Sequence, residues 1–515
     1  MNKKILKWNF IFQYGYVITN IINALILLPL YLHKIDSATL GLWLATGNIL
    51  AWMTLADPGV GDVLQQKIAQ LYGQNEFSEI NKTIGSGIMT SAFIFGLSII
   101  AGIVFYLLIG TIIDKDVSKY AGLQTALMVS IIATGLSLVS FSLSGINQGL
   151  QNPVHVAIGS LSGNFIFLAV NVVLLFLGFG VISIAISNML RAFYINIYNY
   201  IALRRVLHKH QLFIDFDVTH LKRFVKIFSF TSISRIIGGF SASLDMIVLA
   251  RFVAPTTITL FEVNKRPIQM SQSLIGRHSV ALMPMISHAN GKGNHRQIKS
   301  LINTQFKYYY YAAIFIGLIF CINYHTLITL WTGPGKYIGN TIVFLLIANF
   351  FFAQIGYFMA NIGYALGDIK MNSYINICKG IISGVLFYFS GKYFGIVGLI
   401  IVMVTVSVLV DFIFFSYRLH RLGFLSTALV GNILKRWLVV IPLAILAGWL
   451  ISYATDLFIP AQMRLVNLLI NGACFTFFYI TMVLLTDGEI RSQLRHVLNK
   501  GLTKNMRTEK LTIKT

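Results

Sequence analysis

The chain has 515 residues, 56% of them apolar and only 11% charged, with a formal net charge of +23 and a mean hydropathy of +0.74. Soluble domains run near about 25% charged, and no soluble fold of this size hides so much apolar surface. The composition excludes a soluble enzyme, a secreted disulfide scaffold and a nucleic-acid-binding module, so the first question is which side of a membrane holds the positive charge.

The N-terminus reads Lys3, Lys4 and Lys7, followed by an apolar stretch over 10–32. That stretch is too long for the apolar core of a cleaved signal, and more apolar segments follow, so an uncleaved first helix is expected. Further stretches at 39–56, 84–108, 122–146, 154–177 and 181–201 complete a first set of six. A second set covers 224–250, 257–278, 301–323, 339–362, 373–391 and 395–416, and two more lie at 437–455 and 465–486. Since a crossing helix needs roughly 20 apolar residues, the expected fold is an all-α polytopic membrane protein of about 14 transmembrane helices. It is expected to comprise two parallel six-helix repeats, 1–206 and 207–424, then two additional helices within 425–486 and a basic cytoplasmic tail at 487–515.

Loop charges orient this scheme. With the N-terminus in the cytoplasm, 26 of the 40 Lys and Arg residues fall in cytoplasmic segments, 7 on the opposite side and 7 inside spans. The positive-inside rule then places both termini in the cytoplasm. The net charge reads as a topology signal plus attraction to anionic membrane lipids, with no nucleic acid among the expected partners. The longest inner connection, from Ala202 to about Arg223, carries His208, His210 and His220. No acidic or Cys ligand is spaced to complete a metal site there, so a solvated basic loop is expected. Tyr308 to Tyr311 reads as an interfacial aromatic belt. Cys321, Cys378 and Cys474 are far apart and form no metal or disulfide pattern.

Laying Thr39 on Thr257 aligns the first six spans with the next six. Thr39-Leu40-Gly41-Leu42-Trp43 then falls on Thr257-Ile258-Thr259-Leu260-Phe261, and Gly73, Gly145, Gly149 and Gly180 fall on Gly291, Gly363, Gly367 and Gly398. An even number of helices per repeat keeps both halves in one orientation, the arrangement of transporters that rock two lobes around a midplane site.

A charge at the bilayer centre costs at least about 2.5 kcal/mol, so each needs a reason. Lys307 and Lys379 lie near a cytoplasmic helix end and are expected to snorkel. Asp411 lies near the cytoplasmic end of the twelfth span and Asp245 near the outer end of the seventh. Arg191, Arg235, Lys265 and Arg266 are deeper and are the expected cavity cations, in excess over acids and suited to an anionic ligand. Glu262 and Arg266 are spaced i,i+4 with the acid first. The stripe continues through Gln269, Ser273 and Arg277, giving one wet face on an otherwise lipid-compatible helix. Glu262, Gln269, Ser273 and Arg277, with Asp245, are the polar or coupling candidates. The chain has no GxxxxGK[ST] loop and no catalytic constellation, so neither enzymatic activity nor a cofactor is expected; H+ or Na+ stays open as a coupling ion.

Several segments carry a family resemblance. They are Leu28-Pro29-Leu30-Tyr31-Leu32, Leu40-Gly41-Leu42-Trp43, Leu55-Ala56-Asp57-Pro58-Gly59-Val60-Gly61, Ala365-Leu366-Gly367-Asp368 and Gly395-Ile396-Val397-Gly398-Leu399. Together they resemble the Wzx-like O-antigen and capsular polysaccharide repeat-unit flippases of the multidrug/oligosaccharidyl-lipid/polysaccharide exporter (MOP) superfamily, although Val60 stands where Leu is usual. The resemblance implies two six-helix lobes around a V-shaped cavity, with the last two helices beside a groove for a polyprenyl tail. It implies an undecaprenyl-pyrophosphate-linked oligosaccharide as substrate, the bacterial inner membrane as location, and an ion gradient or the membrane potential as driving force. A polysaccharide polymerase and a chain-length regulator are possible partners on this resemblance. It transfers no binding signature residue by residue. An ion-coupled small-molecule or drug antiporter of the same superfamily is the alternative, which calls for uncompensated cavity carboxylates. A membrane-embedded glycan polymerase or ligase is a further one, which calls for a large outer loop.

Overall fold

The computed structural model describes residues 3–55, 60–218, 244–291, 294–460, 462–488 and 490–492. Among these the chain is helical with no strand, and ten helices are long and apolar enough to cross a membrane. The protein is therefore the all-α, multi-pass membrane protein that its composition requires.

The helices are α1 (Lys3–Lys34), α2 (Ser37–Leu55), α3 (Val60–Gln74), α4 (Phe77–Ile113), α5 (Leu123–Gly149), α6 (Pro153–Phe176) and α7 (Val181–Lys209). Beyond 219–243 come α8 (Leu244–Phe252), α9 (Pro255–Gly291), α10 (His295–Thr332), α11 (Asn340–Ala365) and α12 (Ile369–Val406). A π-helical turn, Ser407–Phe414, leads into α13 (Phe415–Arg421), then α14 (Thr427–Phe458) and α15 (Arg464–Thr486). Punctuation follows the sequence. Pro153 occupies the first turn of α6, where its missing N–H costs nothing, and Gly122 takes a φ of +71° ahead of α5.

Packing divides the chain into two compact units, Met1–His288 with Gly335–Phe415, and Ala289–Pro334 with Ser416–Thr515. In the first unit α5 is the central element, packed on α3, α4 and α7. In the second, α10, α14 and α15 pack together. The Tyr run lies in this second unit and corrects the expected aromatic belt. Tyr309 and Tyr310 are buried, Tyr311 donates its hydroxyl to Asp487 at 3.3 Å, and Tyr479 donates to the Tyr311 carbonyl at 2.9 Å. These rings therefore act as packing and hydrogen-bonding elements of a helix interface.

Helix α3 lies outside the expected spans. Its mean apolarity is low because the apolar residues form one face only. Val60, Leu64, Ile68 and Leu71 are spaced by four, four and three, and all are buried against Ile80, Ile84, Ile146 and Leu203. The Asp57–Gly59 motif itself lies outside the described residues, as does His220. The 202–223 connection also needs correction. Helix α7 continues to Lys209, carrying Arg204 and Arg205 on its last turns, because Leu203 and Leu207 keep its apolar face buried. The segment that follows is tied down rather than solvated. The Phe213 N–H donates to Asn81 Oδ1 at 3.0 Å, and the Asp215 N–H donates to the Asn81 carbonyl at 3.2 Å. Asn81→Ala leaves the Phe213 N–H without its partner and should loosen this segment by about 1–3 kcal/mol. Limited proteolysis at Lys209 should then quicken relative to wild type; unchanged cleavage would show that the tether contributes nothing.

Helix starts in the two halves run in parallel, with an offset that drifts. Ser37/Pro255 and Phe77/His295 share the offset of the sequence alignment, Leu123/Asn340 is shorter by one position, and Pro153/Ile369 by one more. The drift continues to the glycines. Gly180 (φ 53°, ψ −131°) matches Gly395 (φ 58°, ψ −140°), a conformation that only glycine adopts without strain. The pairing of Gly180 with Gly398 is thereby corrected to Gly395.

At the end of the first unit where α2 and α9 begin, the two halves touch closely. Thr259 Oγ1 donates to the Ser37 carbonyl at 2.6 Å, and Gly41 lies against the Pro255 carbonyl. Nearby, Arg251 Nη1 donates to the carbonyls of Thr111 and Ile112 at 3.1 and 3.0 Å, while Lys115 Nζ donates to the Ala250 carbonyl. Each cation thus satisfies the unpaired carbonyl end of the other's helix, where the helix dipole is negative. Burial holds the Lys115 ammonium below the ordinary lysine range, with Asp114 partly opposing the shift.

Candidate functional site

Arg191 stands one third of the way along α7 and points between α1, α2 and α6. It lines two cavities, of about 380 and 290 Å³, that share Trp43 and Asn188 as a common wall. Arg191 Nη2 donates to the Tyr16 hydroxyl at 3.0 Å, and its guanidinium lies 6.0 Å from the Phe167 ring. The frame around it is polar and fixed. Asn23 donates to the Asn164 carbonyl at 3.2 Å, Asn164 to Thr19 Oγ1 at 3.0 Å, and Asn171 to the Tyr31 hydroxyl at 2.9 Å, joining α1 to α6. Buried amides of this kind bind helix to helix once each finds a partner. The smaller cavity is walled by a hydroxyl ladder on α5, Ser130, Thr134, Ser137, Ser140 and Ser144. Its spacing of four, three, three and four is a wet helical face, a signal already present in the sequence.

Glu262 and Arg266, on α9, close the larger of these cavities and form the ion pair their spacing predicts, at 3.2 Å. Glu262 is buried and Arg266 stays 40% exposed, so the acid is locked while the guanidinium reaches open space. Lys265 behaves differently. It pairs with Asp245, which is buried on α8, and its own side chain is only 11% exposed. One expectation changes here: Lys265 is neutralised by Asp245 rather than available. Asp245 Oδ1 and Glu262 Oε2 are buried with no hydrogen-bond partner among the described residues. The excess of positive charge consequently rests on fewer groups than four.

Further along α9, Gln269 is half-buried, and Ser273 and Arg277 line a separate cavity of about 570 Å³ with α11 and α12. Here Lys379 donates to both oxygens of Asp411, at 2.7 and 2.6 Å, with side-chain exposures of 29% and 7%. Lys379 is therefore paired inside the protein and does not snorkel. Asp411 sits in the π-helical turn, whose extra residue pushes the backbone against α11 where only Gly356 leaves room. A smaller neighbouring cavity of about 240 Å³ is lined by both Asp245 and Lys379. Arg191, Glu262 and Arg266 thus share one cavity, and Ser273 and Arg277 line another, with the Lys265–Asp245 pair buried beside them. Arg235 lies outside the described residues. Sequence reasoning missed Tyr16, Trp43, Asn188 and the Lys379–Asp411 contact, because a partner on another helix leaves no periodic trace. Among the described residues no group of three His, Cys, Asp or Glu could hold a metal ion.

The helix arrangement is similar to that of solved membrane transporters and flippases. No family model matches the chain, and no curated protein matches it. Solved structures do. The chain is similar to a lipid II flippase, MurJ, in an inward closed conformation, at 14% identity over 92% of this chain and 98% of that one, with a TM-score of 0.69. It is similar to an inward-facing multidrug resistance MATE family transporter of the MOP superfamily, at 13% identity over 78% and 95% of the two chains, TM-score 0.62. A MOP superfamily transporter from Pyrococcus furiosus, described by the reverse polarity of its binding pocket, aligns at 12% identity over 82% and 99%, TM-score 0.57. At these identities the likeness is one of fold.

Proposed function

We propose that the protein is a lipid-linked oligosaccharide flippase, moving undecaprenyl-pyrophosphate-linked repeat units from the cytoplasmic to the periplasmic leaflet of the bacterial inner membrane by alternating access. The charge pairing of the cavities supports this. Each carboxylate there is bridged by a cation: Asp245 by Lys265, Glu262 by Arg266 and Asp411 by Lys379. Arg191 and Arg277 have no carboxylate partner among the described residues. The pocket at Arg191, whose spare charge is arginine, suits a pyrophosphate, which takes a planar fork in bidentate fashion. A drug antiporter needs the opposite, a carboxylate left free to hold a cation. In this reading Arg191 takes the pyrophosphate, Arg266 swings between Glu262 and the substrate, and the hydroxyl ladder of α5 offers hydrogen bonds to sugars. The tail and both termini are then cytoplasmic, an orientation that the distribution of Lys and Arg supports.

The test is polymer output in a flippase-null cell at matched protein level. Arg191→Ala should reduce output at least about tenfold, or ~1.4 kcal/mol of lost substrate stabilisation, with Arg191→Lys recovering part of it. Normal output from Arg191→Ala would remove the anion-binding role, and with it the preference for a flippase over an antiporter.

A further inference from the structure

We infer that the cavity of about 570 Å³ between α9, α11 and α12 is a sugar-ring subsite, separate from the anion-holding cavity at Arg191 and taking a hexopyranose of the carried glycan. The inference rests on the flippase reading for the identity of the cargo, but its physical basis is the lining of this cavity. The volume is that of a small-molecule site. Its polar groups are mixed in kind. Gln272, Asn361 and Asn376 each offer an amide donor and an amide acceptor, Asp411 accepts, and Lys379 and Arg277 donate. A sugar hydroxyl both donates and accepts, so it can use all of these. A phosphate only accepts, so the amide carbonyls and Asp411 would find no donor in it. The Lys379–Asp411 pair presents no net charge of its own, so Arg277 is the one spare charge among the described lining residues, set among neutral groups that suit hydroxyls.

The site is also held in place. Asn361 Nδ2 donates to Ser279 Oγ at 2.8 Å and Asn376 Nδ2 to the Tyr364 hydroxyl at 3.3 Å, so each amide is oriented before any ligand arrives. Tyr357 completes it. This ring is 48% exposed although it sits deep within a long apolar helix, and it lines the cavity. It packs against the backbone of α9, 3.0 Å from where a Cβ on Gly276 would stand. An aromatic ring kept open beside convergent amides is what the C–H face of a pyranose packs on, while its equatorial hydroxyls reach the amides.

The experiment uses the full chain, purified into lipid nanodiscs. Methyl glycosides of glucose, galactose and N-acetylglucosamine are presented singly, and contact is read as saturation transfer from protein to sugar by NMR. Inorganic pyrophosphate is titrated separately and read by phosphorus line broadening. At least one glycoside should receive saturation. That signal should fall about fivefold in Tyr357→Ala, survive in Tyr357→Phe, and weaken in Gln272→Ala, a milder change that spares the helix contacts. Pyrophosphate broadening should be unchanged in all three variants and lost in Arg191→Ala. No saturation transfer to any glycoside on the wild-type protein would overturn the subsite. So would a signal indifferent to both Tyr357→Ala and Gln272→Ala, or one abolished by Arg191→Ala instead. Glycoside binding with these sensitivities but no pyrophosphate binding would uphold the sugar subsite and sink the anion half of the flippase reading.

Discussion

Asp411→Ala is expected to destabilise the protein by about 3–5 kcal/mol, because it strands the Lys379 ammonium without the carboxylate that both its short contacts serve. The loss has two parts. An unpaired cation is left in a partly buried site, and the carboxylate beside Gly356 is removed, although the Cβ that stands closest to that glycine stays. Replacing both partners together, Lys379→Met with Asp411→Leu, should return most of the stability, since a buried pair often does no better than apolar residues of similar volume. Thermal unfolding of the purified wild-type, single-variant and double-variant proteins decides it. A single-variant loss under about 1 kcal/mol would mean that water in the adjoining cavity already solvates the pair.

Gly41→Leu should abolish transport while leaving the protein folded. A Cβ at this position overlaps the Pro255 carbonyl and comes within 2.8 Å of Thr259 Oγ1, so any side chain must push α2 away from α9. Under alternating access that contact closes the end of the first unit where α2 and α9 begin, and it must re-form in every cycle. A wedge there holds the end open. The readout is labelling of Thr259→Cys, buried in the wild-type protein, by an impermeant maleimide after Cys321, Cys378 and Cys474 have been replaced. Labelling should rise sharply in the Gly41→Leu background as polymer output disappears. Full transport with unchanged labelling would show that the contact is not remade during turnover.

Much of this molecule was legible in the sequence for a simple reason: the bilayer demands long apolar helices, and i,i+4 geometry demands that Glu262 meet Arg266. What lay beyond the reach of periodicity was pairing across the fold. Lys265 and Asp245 are on different helices, as are Lys379 and Asp411, and no local pattern distinguishes a cation so matched from a free one. Of the four deep cations, Lys265 and Arg266 are matched by acids and Arg191 has no carboxylate partner among the described residues, while Arg235 lies outside them. Helix α3 escaped notice because hydropathy averages over a helix, and a one-sided face of Val60, Leu64, Ile68 and Leu71 averages away. The Tyr308–Tyr311 run misled in the opposite direction, since composition alone does not separate a ring at an interface from one packed between helices.

The matched glycines, Gly180 and Gly395, bring Asn196 of the first half into register with Asp411 of the second. Both residues tie a late helix of their half to a neighbour, but by different means. Asn196 Nδ2 donates to the Leu136 carbonyl at 2.7 Å, a neutral bond worth about 0.5–1.5 kcal/mol, whereas Asp411 needs Lys379. A duplicated plan has in this way diverged in its tolerance of change. At position 196 substitutions can accumulate singly, each at modest cost. At 379 and 411 neither residue can drift alone, so across relatives of this chain the two positions should change together or not at all.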